Sequence, residues 1–266
     1  MSKLAILCGG GNLPPALAEA HPDAHCVVFD GVAHAMRGNV HQHRFEEMGA
    51  LFAALHEAGV TKLVMAGALG RPALDPTRFD AGMMAIAPRL LPALQGGDDA
   101  ILRLIIAVFE EQGFEVVGAH SLLPAICAEE GLIAGPAPSD AALSDTTRAV
   151  SILDTLSPLD VGQGVVVAAG LCLGIETLQG TDALLRFVGK TPQSLRRGKG
   201  VFVKAPKRGQ DLRVDMPAIG PATVDAAAAA GVEGIVVEAG KVMIIDRAKT
   251  IAALERSGLF LMGRVL

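Results

Sequence analysis

The sequence predicts an α/β protein in two parts, and three observations predict it. Short apolar runs of strand length alternate with helix-length segments through the first half, the pattern of a parallel sheet covered by helices. In the second half apolar runs come in pairs across short turns, which suits a mixed sheet. Between them, Gly131, Gly135, Pro136 and Pro138 break the regular pattern, marking a boundary. The reading is an N-terminal domain over 1–130, a linker over 131–139 and a C-terminal domain over 140–266.

Each element has a local reason. Leu4–Cys8 is a buried-type strand, turned by Gly9-Gly10-Gly11-Asn12 into a helix over Leu13–Ala20 that opens on Pro14 and Pro15. Cys26–Phe29 is a second strand. Phe45–Ala58 has helical spacing and stops at Gly59, and Lys62–Ala66 is a strand leading into the glycine loop Gly67–Gly70. Ile86–Leu94 reads as helix. Gly96-Gly97-Asp98-Asp99 introduces a strong helix over Ala100–Gln112, followed by a strand over Phe114–Gly118. Beyond the linker, Arg148–Leu156 is helical, and Gly164–Ala168 with Leu171–Ile175 forms a hairpin across Ala169-Gly170. Thr181 caps a helix over Asp182–Val188. Val201–Val203 is a strand, and Pro221–Ala230 a helix with Pro at its start and Gly231 past its end. Ile235–Glu238 and Val242–Ile245 read as a second hairpin, Arg247–Ser257 as a helix and Leu259–Met262 as the last strand.

Composition narrows the function classes. The chain has 266 residues, 51% of them hydrophobic, which suits one large or two modest globular domains. No apolar run is long enough to span a bilayer, and MSKLAILCGGGN turns glycine-rich too soon for a signal peptide, so the cytoplasm is the expected compartment. Cys8, Cys26, Cys127 and Cys172 lie far apart without a CxxC pair, as buried thiols in a reducing compartment would. A net charge of −5 without a basic run, and no Trp or Tyr, argue against nucleic acid as partner.

Chemistry concentrates in Val201–Gly220, VFVKAPKRGQDLRVDMPAIG. A strand breaks into a turn holding Lys204, Lys207 and Arg208. A second short extended run follows with Asp211, Arg213 and Asp215, stopping at Met216-Pro217. Such close cations and carboxylates suit either a polyanion with a metal ion or a charged surface loop. Gly10, Gly11 and Asn12 lie between strand and helix, where backbone N–H groups can hold phosphate. They lack GxGxxG spacing and the Walker lysine, and a plain βα turn explains them too. Asp98 and Asp99 can bind a hard cation or cap their helix. The turns flanking the first hairpin gather Asp160, Gln163, Glu176, Thr181 and Asp182 at one end of it. His41 and His43 lie in a polar loop, and no histidine has metal-ligand spacing.

Taken together, GGGNLP, GDDAILR with GFEVVGAH, LDVGQGVVV, GIETLQGTDALLR, VKAPKRGQDLRVDMPAIGPATV and VEAGKVMIIDR resemble, in that order and over nearly the whole chain, the LpxI family of UDP-2,3-diacylglucosamine pyrophosphatases. The chain diverges from that pattern at Asp30–Gln42 and in the linker. The resemblance implies a Rossmann-like N-terminal domain and a distinct C-terminal α/β domain enclosing the substrate. It implies Mg²⁺-dependent hydrolysis, with Mn²⁺ as a substitute, of UDP-2,3-diacylglucosamine to UMP and 2,3-diacylglucosamine 1-phosphate (lipid X) in lipid A biosynthesis. Water would attack the phosphorus on the sugar side, and the family's key aspartate falls on Asp215 as metal ligand or water-orienting base. Lys204, Lys207 and Arg213 would then neutralise phosphate. Asp98 and Asp99 would add acid, and Gly10, Gly11, Asn12, Gln163, Thr181 and Asp182 would face substrate. Met83, Met84, Ile86, Leu90, Leu91 and Leu94 form either a lipid groove or core helix. Contact with the inner membrane would be peripheral and transient, and a homo-oligomer is compatible. The rivals are an NAD-dependent oxidoreductase, disfavoured by the missing fingerprint, and a non-catalytic carrier of nucleotide sugar or lipid.

Overall fold

The structure is a computed structural model that describes residues 3–70, 72–95 and 98–266, apart from the side chains of residues 91, 98 and 99. The expected Gly96-Gly97 turn lies outside the described residues. The chain divides into two compact units, Met1–Pro124 with Asp211–Asp215, and Ala125–Gln210 with Met216–Leu266.

The first unit runs β1 (Lys3–Cys8), α1 (Leu13–Ala20), β2 (His25–Phe29), β3 (His41–His43), α2 (Met48–Glu57), β4 (Val60–Ala66), α3 (Ala81–Gln95), α4 (Asp98–Glu111), β5 (Glu115–Val116) and α5 (Ala119–Leu122). Its strands form one sheet in the order β3-β2-β1-β4-β5, and every pairing is parallel. Parallel strands are covered on both faces, so their sequences are continuous apolar runs rather than alternating ones. Ala5, Ile6, Leu7 and Cys8 of β1 are accordingly all buried. The reading of 41–43 as loop is corrected. His41–His43 pairs with Val27–Phe29 as an edge strand, made possible by the His41 ring stacking on His25 at 3.8 Å. Helix α3 continues through Pro88 and Pro92. Both prolines lie with Met84 on an exposed face, so the carbonyls they leave without a donor point away from the core.

The second unit runs β6 (Gly131–Ala134), α6 (Asp140–Leu156), β7 (Gly164–Ala168), β8 (Leu171–Ile175), α7 (Thr181–Gly189), β9 (Val201–Lys204), β10 (Ala218–Ile219), α8 (Pro221–Ala229), β11 (Gly234–Glu238), β12 (Met243–Ile244), α9 (Arg247–Ser257) and β13 (Phe260–Arg264). The main sheet has the order β6-β13-β11-β9-β7-β8. Its central strands β9, β11 and β13 are parallel, and β6, β7 and β8 join antiparallel. Val166, Phe202, Ile235, Val237 and Leu261 face α7, α8 and α9, while Val165, Val167, Val203 and Val236 face Ala142 and Ala149 of α6. Both outer pairings, β6 on β13 and β8 on β7, carry a register shift.

Two expectations change here. Residues 131–134, read as linker, form strand β6. The pair Ile235–Glu238 and Val242–Ile245 is not a hairpin. β11 lies between β9 and β13, and β12 pairs in parallel with β10 in a separate two-stranded sheet. The fully apolar, doubly buried β11 satisfies the parallel interior better than a hairpin could. The hairpin of β7 and β8 is present, its Ala169 and Gly170 both at positive φ. The Asp145 carboxylate beneath it accepts both turn N–H groups at 2.9 and 2.7 Å.

His25 gives the first unit a pH dependence. Its Nε2 is buried without a partner among the described residues. Burial first, then His41, Lys3 and His43, push its pKa from 6.5 down to about 4. Between those values the unfolded chain binds more protons than the folded one, so stability falls as pH drops. Melting temperature measured from pH 7.5 to 4 should be flat above about 6.5 and decline below it, and His25→Asn should reduce that slope.

Candidate active site

In the first unit the strand order reverses between β1 and β4, so the loops leaving their carboxyl ends diverge. That is where open α/β sheets place ligands. Those loops are Gly9–Asn12 and Gly67–Gly70, and they are bridged to each other. Gly10 N–H donates to the Ala68 carbonyl at 2.7 Å, and Ala68 N–H donates back to Gly10 at 3.0 Å. A Cβ on Gly9 would fall 2.6 Å from the Ala68 oxygen, and one on Gly67 2.4 Å from the Gly10 oxygen. Glycine is required here for loop-on-loop approach. The Gly10 amide, expected to hold phosphate, is spent on the bridge. Gly11 turns the chain at φ +86°, and the Asn12 carbonyl accepts the Ala16 N–H in opening α1.

The segment Asp211–Asp215 belongs to this unit. The expected extended run is instead a turn, with Val214 and Asp215 N–H both donating to the Asp211 carbonyl at 3.3 and 3.2 Å. The Asp211 carboxylate accepts the Arg213 N–H at 3.0 Å, and this side-chain-to-backbone bond curls the chain. Val214 packs into the N-terminal core, so the turn is anchored at the position before Asp215. The Arg213 Cα lies beside Gly118, just past β5, where an added Cβ would be 3.2 Å from it and 2.6 Å from His120 Nδ1.

Each nitrogen of the Arg213 guanidinium meets a carboxylate. Nε and Nη2 donate to Asp211 at 3.0 and 2.7 Å, and Nη1 donates to Glu110 of α4 at 2.7 Å. Arg213 holds the Asp211 carboxyl below the usual carboxylate range, and Asp211 raises the Arg213 pKa in turn. Asp98 and Asp99 open α4, but their side chains lie outside the described residues.

In the second unit Lys204 ends β9 and is only 5% exposed. Its ammonium donates to Thr181 Oγ1 at 2.5 Å, and that hydroxyl donates to Glu176 Oε2 at 2.9 Å. The ammonium also lies 3.5 Å from Glu176. Glu176 seats against Gly164 and Gly162: an added Cβ would meet its Oε2 at 2.6 Å or its carbonyl oxygen at 1.9 Å. Gln163 accepts the Ala205 N–H through its carbonyl at 2.9 Å. The Lys207 ammonium meets the Asp160 carboxylate. Arg208 reaches Asp154 at 2.8 Å, and its N–H donates to Ser157 Oγ at 2.5 Å. The expected gathering of Asp160, Gln163, Glu176 and Thr181 is therefore real and includes both lysines. Asp182 stands apart, exposed in the first turn of α7.

Sequence reasoning missed Glu110, Asp154 and the buried Nδ1 of His120, which has no partner among the described residues. The seven-residue separation of Arg103 and Glu110, two turns apart on one face of α4, was the available signal for Glu110. The apolar stretch of α3 divides. Met83 is buried and Ile86 packs on the core, whereas Met84 and Leu94 are 59% and 43% exposed. Leu91 lies outside the described side chains.

Among the described residues no cluster of three or more His, Cys, Asp or Glu could cage a metal ion. Asp215 offers the oxygen donor that a hard cation takes, and Mg²⁺ commonly needs only one or two carboxylates, with waters and substrate phosphate completing its shell.

Comparison with known proteins decides the family. The LpxI N-terminal domain matches residues 3–126 and the LpxI C-terminal domain residues 129–262. This chain belongs to the LpxI family. UDP-2,3-diacylglucosamine pyrophosphatase LpxI of Caulobacter vibrioides is 37% identical to it over 278 residues, covering 99% of this chain and 98% of that protein. The alternation of strands and helices followed by a mixed sheet is thus the LpxI architecture. No helix among the described residues is long and apolar enough to cross a membrane.

The buried ion pair makes a stability prediction. Lys204→Met leaves the Glu176 carboxylate buried without its cation and should cost about 3–5 kcal/mol in urea unfolding. Adding Glu176→Leu should recover most of that loss.

Proposed function

We propose that this protein hydrolyses UDP-2,3-diacylglucosamine to UMP and 2,3-diacylglucosamine 1-phosphate, a step of lipid A biosynthesis. The observation that carries this reading is the end-to-end match to the Caulobacter vibrioides pyrophosphatase, supported by an acid on a fixed turn of the N-terminal unit. The reaction joins water to one phosphorus and breaks its bond to the bridging oxygen. Attack on the sugar side sends that bridging oxygen away with UMP and leaves the water oxygen in the sugar phosphate.

Asp215 holds Mg²⁺ or Mn²⁺ in this reading, or accepts the proton of the attacking water. When bound, the ion supplies positive charge to the phosphate oxygens and acidifies its water. Lys207, partly exposed beside Asp160, and the more exposed Arg208 beside Asp154 are the cations of this loop that can exchange a carboxylate partner for a phosphate. Lys204 holds the loop from beneath, since its ammonium is buried on Thr181 and Glu176. Gly11 and Asn12 turn the N-terminal loop toward the nucleotide. The protein acts in the cytoplasm and meets the inner membrane only through its substrate's acyl chains. The exposed Met84 and Leu94 suit that contact.

UMP release from UDP-2,3-diacylglucosamine should require Mg²⁺, stop with EDTA and fall about 10²–10⁴-fold in Asp215→Ala, the range for losing an acid–base or charge-stabilising group. In ¹⁸O-water the label should enter the sugar phosphate and not UMP. Binding without turnover would instead identify a carrier, and tight saturable NAD binding an oxidoreductase.

A further inference from the structure

The turn bearing Asp215 has charges of both signs, and α4 answers each of them. Arg213 donates to Glu110 at 2.7 Å. Asp211, already forked by Arg213, also lies in the field of Arg103. Arg103 and Glu110 are both exposed and lie two turns apart on one face of α4. The helix therefore presents a cation and then an anion along its length, and the turn presents an anion and then a cation.

We propose that Glu110 is a positioning residue for the reaction. It holds Arg213, Arg213 holds Asp211, and the turn so formed fixes the backbone of Asp215. In this reading Arg213 serves the turn rather than phosphate, since its Nε, Nη1 and Nη2 each already donate to a carboxylate. Gly118 is the floor of the same arrangement. Its φ of −83° is ordinary, so any alanine effect there comes from sterics against His120 and the Arg213 Cα. The proposal rests on the catalytic reading of Asp215.

The test uses full-length protein with Glu110→Ala, Glu110→Gln, Arg213→Ala, the double alanine variant and Gly118→Ala. Two quantities are read: kcat and KM for UDP-2,3-diacylglucosamine, and amide hydrogen exchange of residues 211–215. Glu110→Ala should lower kcat about two- to fivefold, the scale of one lost half-exposed ion pair, with KM unchanged. Exchange of the turn should rise by a similar factor while the rest of α4 is unchanged. Glu110→Gln keeps an acceptor and should lie between. The double variant should be no slower than Arg213→Ala alone, as coupled residues require, and Gly118→Ala should act in the same direction.

Unchanged exchange in Glu110→Ala overturns the proposal, whatever happens to the rate. So does a loss confined to KM, which would mean that Arg213 meets phosphate. Asp215→Ala, measured alongside, separates the two readings. If it keeps full activity, the catalytic assignment of Asp215 fails and the kinetic role of Glu110 falls with it, while exchange still reports whether Glu110 holds the turn.

Discussion

A parallel strand can be continued only by a crossover, so all loops that follow parallel strands gather at one end of the sheet. That constraint places the chemistry in both units. In the first it brings together the ends of β1, β4 and β5, with Gly9–Asn12, Gly67–Gly70 and Gly118–His120. In the second it brings Lys204 to the end of β9 and Glu238 to the end of β11. The antiparallel β7 and β8 deliver Gln163 and Glu176 to the same edge. Residues far apart in sequence meet because their strands all run out in one direction.

Charge balance decides what those residues can do. Lys204, Lys207, Arg208 and Arg213 each have a carboxylate partner, respectively Glu176, Asp160, Asp154, and Asp211 with Glu110. Their burial separates them. An ammonium as deeply buried as Lys204 cannot trade its partner without leaving an unpaired charge in a low-dielectric environment. A half-exposed pair loses little when a phosphate displaces its carboxylate. A basic cluster in sequence thus resolves into a framework cation, a forked clasp and two cations free to exchange partners.

The elements legible in the sequence were those whose cause is local. Pro14 and Pro15 open α1, Gly231 follows α8, and the apolar runs of β1, β4 and β7 give their positions away. What was not legible depends on distant partners. His41–His43 is polar and becomes a strand only because β2 offers an edge and His25 a ring to stack on. β11 and β12 look like a hairpin because proximity in sequence hides their separate partners. The turn that carries Asp215 was not legible as geometry. It is made by Asp211 and Arg213, and its anchor, Glu110, lies 103 positions away.

The irregular pairings at both margins of the C-terminal sheet bear on how this protein behaves among copies of itself. A flat, regular outer strand offers a row of open N–H and C=O groups to any passing chain, and polymers grow from such rows. Here the shifts between Leu261 and Met262 and between Val166 and Val167 fall where β6 and β8 attach. A bulged margin is twisted and presents those groups out of step. Backbone pairing with another chain is thereby disfavoured at both margins of this sheet.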